Sequence, residues 1–295
     1  MTAKTILVTG ATGATGAYTV SLLKDRGHHV RALVHQDDAR AAALIQRGVD
    51  VRIGDLLDLE CVTAALQGVD TAYFVFPIEP GLVEATAYFA QAGRDAGLRA
   101  VVNMSQISAR RDATSNAARQ HWISERIFDW SGIASTHIRP TFFAEWLTMF
   151  ADSISHDGVL ALPFGQGRHA PIAAEDQAHV IAAILEDPGP HAGQIYPLFG
   201  PVEHDHHGIV AEVARTLGRP VRYEPIEIDK FRNRMIQSRN AAPHIVQHIE
   251  NVAVDYRQGK FAGTNDIVER IGRTTPTTVA AFMDKRRAKF DSAPN

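Results

Sequence analysis

The chain has 295 residues, of which 45% are hydrophobic and 21% charged, with a formal net charge of −3 and a single cysteine, Cys61. That length fits one large or two modest domains with a sizeable core. The charge excludes a bulk basic field for nucleic acid, and the lone cysteine excludes both an internal disulfide and a paired-cysteine zinc site.

The first apolar run, Ile6 to Val8, reads as a buried parallel strand. It is too short for a signal segment, and no later run approaches a membrane span. The expectation is a soluble cytoplasmic protein without membrane association. The strand runs into Thr9-Gly10-Ala11-Thr12-Gly13-Ala14-Thr15-Gly16, three glycines at spacing three. Tyr18, Val20, Leu22 and Leu23 then begin an amphipathic helix that ends near Gly27. Strand, glycine turn and helix form the context of a dinucleotide-binding fingerprint. Gly10 permits the sharp turn, Gly13 leaves main chain bare for a pyrophosphate, and Gly16 lets the helix pack closely. Thr12, Ala14 and Thr15 complete the candidate loop, whose helix start offers unpaired N–H groups and a positive dipole end.

Strands follow at His29–Val34, Val49–Ile53, Thr71–Phe76, Ala100–Met104 and Ser135–Arg139. Helices are expected between them at Ala39–Gln46, Leu59–Leu66, Leu82–Ala96 and about Asn116–Trp130. This alternation predicts an α/β fold with a Rossmann-type, doubly wound, mainly parallel sheet. Residues 1–150 are expected to form the dinucleotide-binding domain and 151–295 a smaller, mostly helical substrate or lid region. Within the second part, Val159–Leu162 reads as extended and Glu175–Leu185 and Ile209–Leu217 as helices. A strand near 193–198 is expected to return to the main sheet, and the chain ends in a helix over Thr278–Lys289 before a frayed tail. Phe143 to Phe150 also looks helical. The substrate site belongs outside the carboxyl ends of the strands.

The end of the second strand bears on the choice of cofactor. An acid there suits the ribose hydroxyls of NAD, and a cation suits the extra phosphate of NADP. Here it reads His35-Gln36-Asp37-Asp38, with Arg40 close behind. His35 can donate to a phosphate, and Arg40 can reach over it as a bidentate donor. Asp37 and Asp38 fit a helix cap and first-turn acid. The reading favours NADP(H) over NAD(H). Asp55 in Gly54-Asp55-Leu56 can accept the adenine amino group or cap the helix near Leu59, and the two roles can coexist. Phe76 and Pro77 form an apolar wall beside the adenosine or pyrophosphate.

Several stretches together carry a resemblance: Gly-Ala-Thr-Gly-x-x-Gly, Gly54-Asp55-Leu56, and Ser131-Gly132-Ile133 before Ile138-Arg139-Pro140 and Phe143. Gly193 to Gly200, Leu217-Gly218-Arg219-Pro220-Val221 and Gly272-Arg273-Thr274-Thr275-Pro276 extend it over nearly the whole chain. The chain resembles the NmrA-like atypical short-chain dehydrogenase/reductases. The resemblance implies binding of NADP(H) or NAD(H) and either reduction of quinones, azo dyes or related acceptors, or a non-catalytic role as an NAD(P)-sensing regulator. Family NADP binders often carry Arg at the position of His35. Most short-chain dehydrogenases place Tyr-x-x-x-Lys on the helix after the fifth strand. This chain has Gln120-His121-Trp122-Ile123-Ser124-Glu125 there, with neither residue.

Relatives place Lys or His at the position of His121 and often Glu at that of Glu125, so the resemblance puts His121 near the nicotinamide ribose. His121 and Glu125 are four apart, on one helix face. Histidine can donate a proton near neutral pH, with Glu125 orienting or charging it, and these two are the candidate catalytic residues. A plain helix-face pair is the alternative. Ser105, Pro140, Phe142 and Phe143 are expected near the nicotinamide, the two aromatics stacking there or on an aromatic acceptor. His204-Asp205-His206-His207 is too contiguous for one metal ion. Asp205 reads as a helix cap, the histidines as solvated, and no metal is expected. Glu175 and Asp176 read as first-turn acids, and Arg232, Arg234 and Arg239 as a mildly basic helical face. The expected partner is a small-molecule acceptor, not nucleic acid, and the chain is expected to be a monomer or homodimer.

Overall fold

The computed structural model describes residues 2–237 and 242–291, so Arg239 and the tail from 292 lie outside the described residues. In chain order the strands are β1 (Thr5–Thr9), β2 (His29–Val34), β3 (Asp50–Ile53), β4 (Thr71–Phe74), β5 (Ala100–Met104) and β6 (Ala134–Pro140). They continue with β7 (Val159–Leu162), β8 (Arg168–His169), β9 (Ile195–Leu198), β10 (His204–Asp205) and β11 (Arg222–Pro225). The helices are α1 (Ala14–Asp25), α2 (Ala39–Gln46), α3 (Leu59–Leu66), α4 (Leu82–Asp95), α5 (Asn116–Ser131) and α6 (Trp146–Met149). They continue with α7 (Ala174–Glu186), α8 (His206–Leu217), α9 (Ile228–Gln237), α10 (Pro243–Arg257), α11 (Ile267–Arg270) and α12 (Val279–Arg286).

Seven strands form one parallel sheet in the order β3-β2-β1-β4-β5-β6-β9. Strand order reverses at β1, so its neighbours β2 and β4 send their chains to opposite sides. That leaves a crevice at the carboxyl end of β1. β1 shows why its apolar run has no polar alternation. Ile6 and Val8 join one core with Val20 and Leu23 of α1 and Val180 and Ile181 of α7, whereas Leu7 joins the opposite core with Val62 and Leu66 of α3 and Phe89 of α4. Both faces of the strand are buried.

β4 ends two residues before the expected Phe76. The Thr9 hydroxyl takes over there, accepting from Val75 N at 2.8 Å and donating to Val75 O at 2.9 Å. A side chain thus replaces the ladder, and the chain peels away toward Pro77. The helix expected over Phe143–Phe150 shrinks to α6, because Phe143 bridges to Ile172 and Ala144 N donates to Ile172 O.

A third core gathers Phe164, Tyr223, Tyr256, Phe261 and Phe282 around α8, α10 and α12. The remainder is mostly helical, as expected, with short strands set among the helices. β11 pairs in parallel with β7, and β10 pairs antiparallel with β8. β7 matches the extended run read from sequence, whereas β8, β10 and β11 are two to four residues long and recruited by partners far off in sequence, so local periodicity does not mark them. Among the described residues no helix is long and apolar enough to cross a membrane.

Asp205 caps α8, accepting from Gly208 N at 2.7 Å. Solvation of the neighbouring histidines fails at His206, which is buried and stacked 5.3 Å from Phe164 and 5.0 Å from Tyr223. Tyr256 Oη lies between Nδ1 of His169 and Nδ1 of His206, 3.4 Å from the latter. Burial pushes the His206 imidazole down to about 4. Its unfolded-state value is near 6.5, so below that pH the unfolded chain binds the extra proton. Stability from this group is therefore complete above pH 6.5 and is lost as pH falls toward 4. His169, His121 and His248 are shifted in the same direction by burial. Thermal unfolding followed by circular dichroism should show melting temperatures falling through this window. His206→Phe should flatten the slope by up to one proton, at most about 1.4 kcal/mol per pH unit. An unaltered slope would exclude His206 as a contributor.

Candidate functional site

The glycine turn sits in the crevice beside β1. Gly10 adopts φ +57°, and a Cβ there would meet Val75 Cγ1 at 2.5 Å. Gly16 is tighter still, since its Cβ would lie 2.2 Å from the carbonyl oxygen of Gly10. Gly10 is thus demanded by its positive φ and by Val75 after β4, and Gly16 by the close approach of α1 to the turn. Gly13 differs: it is exposed, with φ −85°, a value open to any residue. It is the N-cap of α1 and supplies no side-chain cap. The first N–H groups of the helix thus lack a side-chain cap, and the main chain beside them is bare. This cradle fits a pyrophosphate, and a side chain at position 13 would intrude on it.

Three cavities lie end to end along the crevice. The first, of about 310 Å³, is lined by Gly10, Thr12, His35, Gly54, Asp55, Leu56, Phe76 and Pro77. The second, of about 470 Å³, is lined by Gly10, Thr12, Gly13, Ala14, Thr15, Gly16 and Arg40, with Tyr73, Val75, Pro77, Met104 and Phe143 opposite. The third, of about 220 Å³, is apolar and takes in Ser105, His121, Pro140, Phe142 and Phe143. The first two share Gly10, Thr12, Val75 and Pro77, and the last two share Val75, Pro77, Met104 and Phe143.

His35 is largely exposed, with Nδ1 3.9 Å from Asp55 Oδ2. Asp38 is the N-cap of α2, accepting from the backbone of Arg40 and Ala41, and it holds the Arg40 guanidinium with Nε 2.8 Å from Oδ2. The Arg40 side chain is the main reason that the Asp38 carboxyl lies below its usual range. Asp38 is thus spent on the helix and on Arg40. Asp55 Oδ1 accepts from Leu57 N at 2.9 Å, and the residue that caps α3 is Asp58, not Asp55.

In the apolar cavity the expected pairing of His121 with Glu125 is corrected. Glu125 is completely buried and is held by Arg139 of β6, whose Nε and Nη2 donate to its two oxygens at 2.7 and 2.5 Å. Ser105 Oγ donates to the same carboxylate at 2.6 Å, so Ser105 is also engaged. Spacing put His121 and Glu125 on one face, but the cation on the neighbouring strand captures the acid. His121 is 4% exposed, and its Nδ1 has no hydrogen-bond partner. Burial, and then His248 nearby, push it down to about 3. That shift favours the uncharged ring at neutral pH, which can offer a hydrogen bond but not an imidazolium proton.

Phe142 packs against Trp146 at 4.8 Å and stacks on Phe261 at 5.0 Å. Sequence reasoning missed His248, Val252 and Phe261, which close the same cavity from the second half of the chain. Spacing of four between His248 and Val252 on one helix face was the only available signal. Glu175 and Asp176 stand in the first turn of α7, as expected. Among the described residues no group of side chains could hold a metal ion.

A sequence profile of the NmrA-like family matches residues 2–282. An NAD(P)H azoreductase from Xenophilus azovorans is 32% identical, the match covering 98% of this chain and 100% of that one. Quinone oxidoreductase 2 from Escherichia coli is 28% identical over 77% of this chain and 79% of its own. Among solved structures, an NADPH-dependent quinone oxidoreductase from Escherichia coli, complexed with NADPH, superposes with a TM-score of 0.85 at 24% identity, covering 96% of this chain and 99% of that chain. NmrA, a negative transcriptional regulator in complex with NADP, gives 0.75 at 20% identity, covering 100% and 93%.

Proposed function

The chain belongs to the NmrA-like family, and on that premise we propose that it is an NAD(P)H-dependent oxidoreductase acting on a small, flat, apolar acceptor, a quinone or an azo compound. One observation carries the reading: the cavity at the bare glycine turn adjoins the apolar cavity, the two sharing Val75, Pro77, Met104 and Phe143 as lining. A dinucleotide seated on the turn would extend its nicotinamide toward that wall. When bound, the reduced cofactor supplies the hydride, and the protein supplies orientation and a dry pocket.

In this reading the main chain of Gly10 to Gly16, with Thr12 and Thr15, takes the pyrophosphate. Asp55, Leu56, Phe76 and Pro77 hold the adenosine. Arg40 and His35 meet the extra phosphate of NADP(H). Phe142, Phe143 and Pro140 face the nicotinamide and the acceptor, and His121 donates a hydrogen bond from an uncharged ring. Turnover should appear as loss of nicotinamide absorbance when NADPH or NADH is mixed with a panel of quinones and azo compounds. Tight binding of either cofactor with no turnover on any acceptor would sink this reading and favour an NAD(P)-sensing regulator.

Arg40→Ala should raise the Kd for NADPH about tenfold, the loss of one charge-assisted hydrogen bond, while changing that for NADH little. Equal changes for the two cofactors would remove Arg40 from phosphate recognition. The comparison is read by calorimetric titration.

A further inference from the structure

We propose that His248 binds the acceptor, donating an Nε2–H hydrogen bond that together with His121 selects an uncharged quinone by its carbonyl oxygen. The inference rests on the oxidoreductase reading and names the acceptor class for the same cavity.

His248 belongs to α10, far from the motifs of the first half, yet it lines the cavity that contains His121. It is 4% exposed. Its Nδ1 lies 2.8 Å from Ser115 Oγ, the N-cap of α5. Ser115 Oγ already accepts from Ala118 N at 3.2 Å, and we assign its own proton to His248 Nδ1, the acceptor that lies beside the buried hydroxyl. That donation makes Nδ1 the acceptor nitrogen and leaves the imidazole hydrogen on Nε2. The placement is rigid. Asp255 on the same helix takes a bidentate pair from Arg110 at 2.6 and 2.8 Å, and Gln247 Nε2 donates to Thr114 O at 2.9 Å.

His121 enters the cavity from α5. Leaving its partnerless Nδ1 as a bare acceptor costs less than burying an unpaired N–H there, so the proton belongs on Nε2. Two imidazole donors therefore serve one cavity, whose lining also holds the unpartnered Gln106 amide and Thr141 hydroxyl. The remaining lining holds no Lys, Arg, Asp or Glu, so nothing offsets a charge on the acceptor. A carbonyl oxygen carries two lone pairs on one atom and can take both donors, whereas a trans azo group carries one on each nitrogen, pointing to opposite sides. A bound reduced nicotinamide would supply hydride, its carbon–hydrogen bond breaking as both electrons pass to the quinone and NAD(P)+ is left. Negative charge gathers on the quinone oxygen, where the two N–H groups stabilise it, and a proton from water completes the hydroquinone.

The test uses His248→Asn, whose amide can still meet Ser115 but lacks a donor at the Nε2 position, and His248→Gln, which reaches it. Trp146 lines the cavity, so quenching of intrinsic fluorescence reports 1,4-naphthoquinone binding without turnover. Expected results are about tenfold weaker quenching affinity and kcat/KM in His248→Asn, recovery to within about threefold in His248→Gln, and unchanged NADPH affinity in both. A naphthoquinone sulfonate should bind more weakly than 1,4-naphthoquinone. Wild-type behaviour in His248→Asn, or equal losses in Asn and Gln, would overturn the assignment. Turnover of azo compounds with no quinone binding would overturn the choice of quinone and leave hydride transfer standing. NADPH binding with no turnover defeats the functional reading instead, and the quenching series then still decides whether His248 binds the ring.

Discussion

Gly13→Asp should weaken binding of NADPH and NADH by at least about 100-fold while leaving the fold as stable or slightly more so. The opposition of the two effects follows from the position. Gly13 is exposed at φ −85° and caps α1 without a side chain. Aspartate is among the best N-cap residues and restricts the unfolded chain more than glycine, a gain of about 0.5–1 kcal/mol. A Cβ there would sit 3.2 Å from Gly10 O, so that carbonyl must yield slightly and the gain is reduced. The same carboxylate would stand where the pyrophosphate is proposed to rest. Two like charges about 4 Å apart repel by roughly 4 kcal/mol at an effective dielectric near 20, close to a thousandfold in affinity.

Gly13→Asn separates charge from bulk, because it caps the helix similarly without the negative charge. It should bind cofactor better than Gly13→Asp, and added salt should narrow the gap. Calorimetric titration and thermal melts read the two effects separately. Undiminished binding in Gly13→Asp would remove the pyrophosphate from the turn and with it the functional reading.

The parts of the molecule that could be read from sequence are those whose determinants are local. The run Ile6 to Val8, the glycines and the alternating helices announce a parallel sheet, since each signal lies within a dozen residues. Caps at Asp38 and Asp205 were equally legible, whereas at α3 the cap moved from Asp55 to Asp58 within one short acidic loop. The apolar cavity was harder because it is assembled from segments more than a hundred residues apart. His121 comes from α5, Phe142 from the turn after β6, and His248 and Phe261 from the last part of the chain. No spacing rule links them. Burial of His206 was hidden for a similar reason, since Phe164, Tyr223 and Tyr256 that enclose it come from three separate elements or loops. Partner choice is the other gap. Helical spacing says which residues share a face, but not that a cation on a neighbouring strand will take the acid first.

That cation makes Glu125 a structural residue, and its removal should cost stability rather than the charge state of His121. Glu125 is fully buried, doubly bonded to Arg139 and bonded again by Ser105. Glu125→Leu would leave the partly buried Arg139 guanidinium without its counter-ion. Breaking a buried pair on one side costs about 3–5 kcal/mol, which corresponds to roughly 6–15 °C in melting temperature for a chain of this size. Arg139→Met should cost less, because Ser105 still donates to the carboxylate and Arg126 Nη2 lies 3.6 Å from it. The double variant should recover most of the loss, since an apolar pair of similar volume can replace a buried ion pair at little net cost. At a temperature where the single variants remain folded, NADPH affinity should be close to that of the unaltered protein, because neither residue reaches the glycine turn. Additive losses in the double variant would mean that the two side chains act independently. A selective loss of turnover in Glu125→Leu, with stability unchanged, would return the carboxylate to the role of orienting His121.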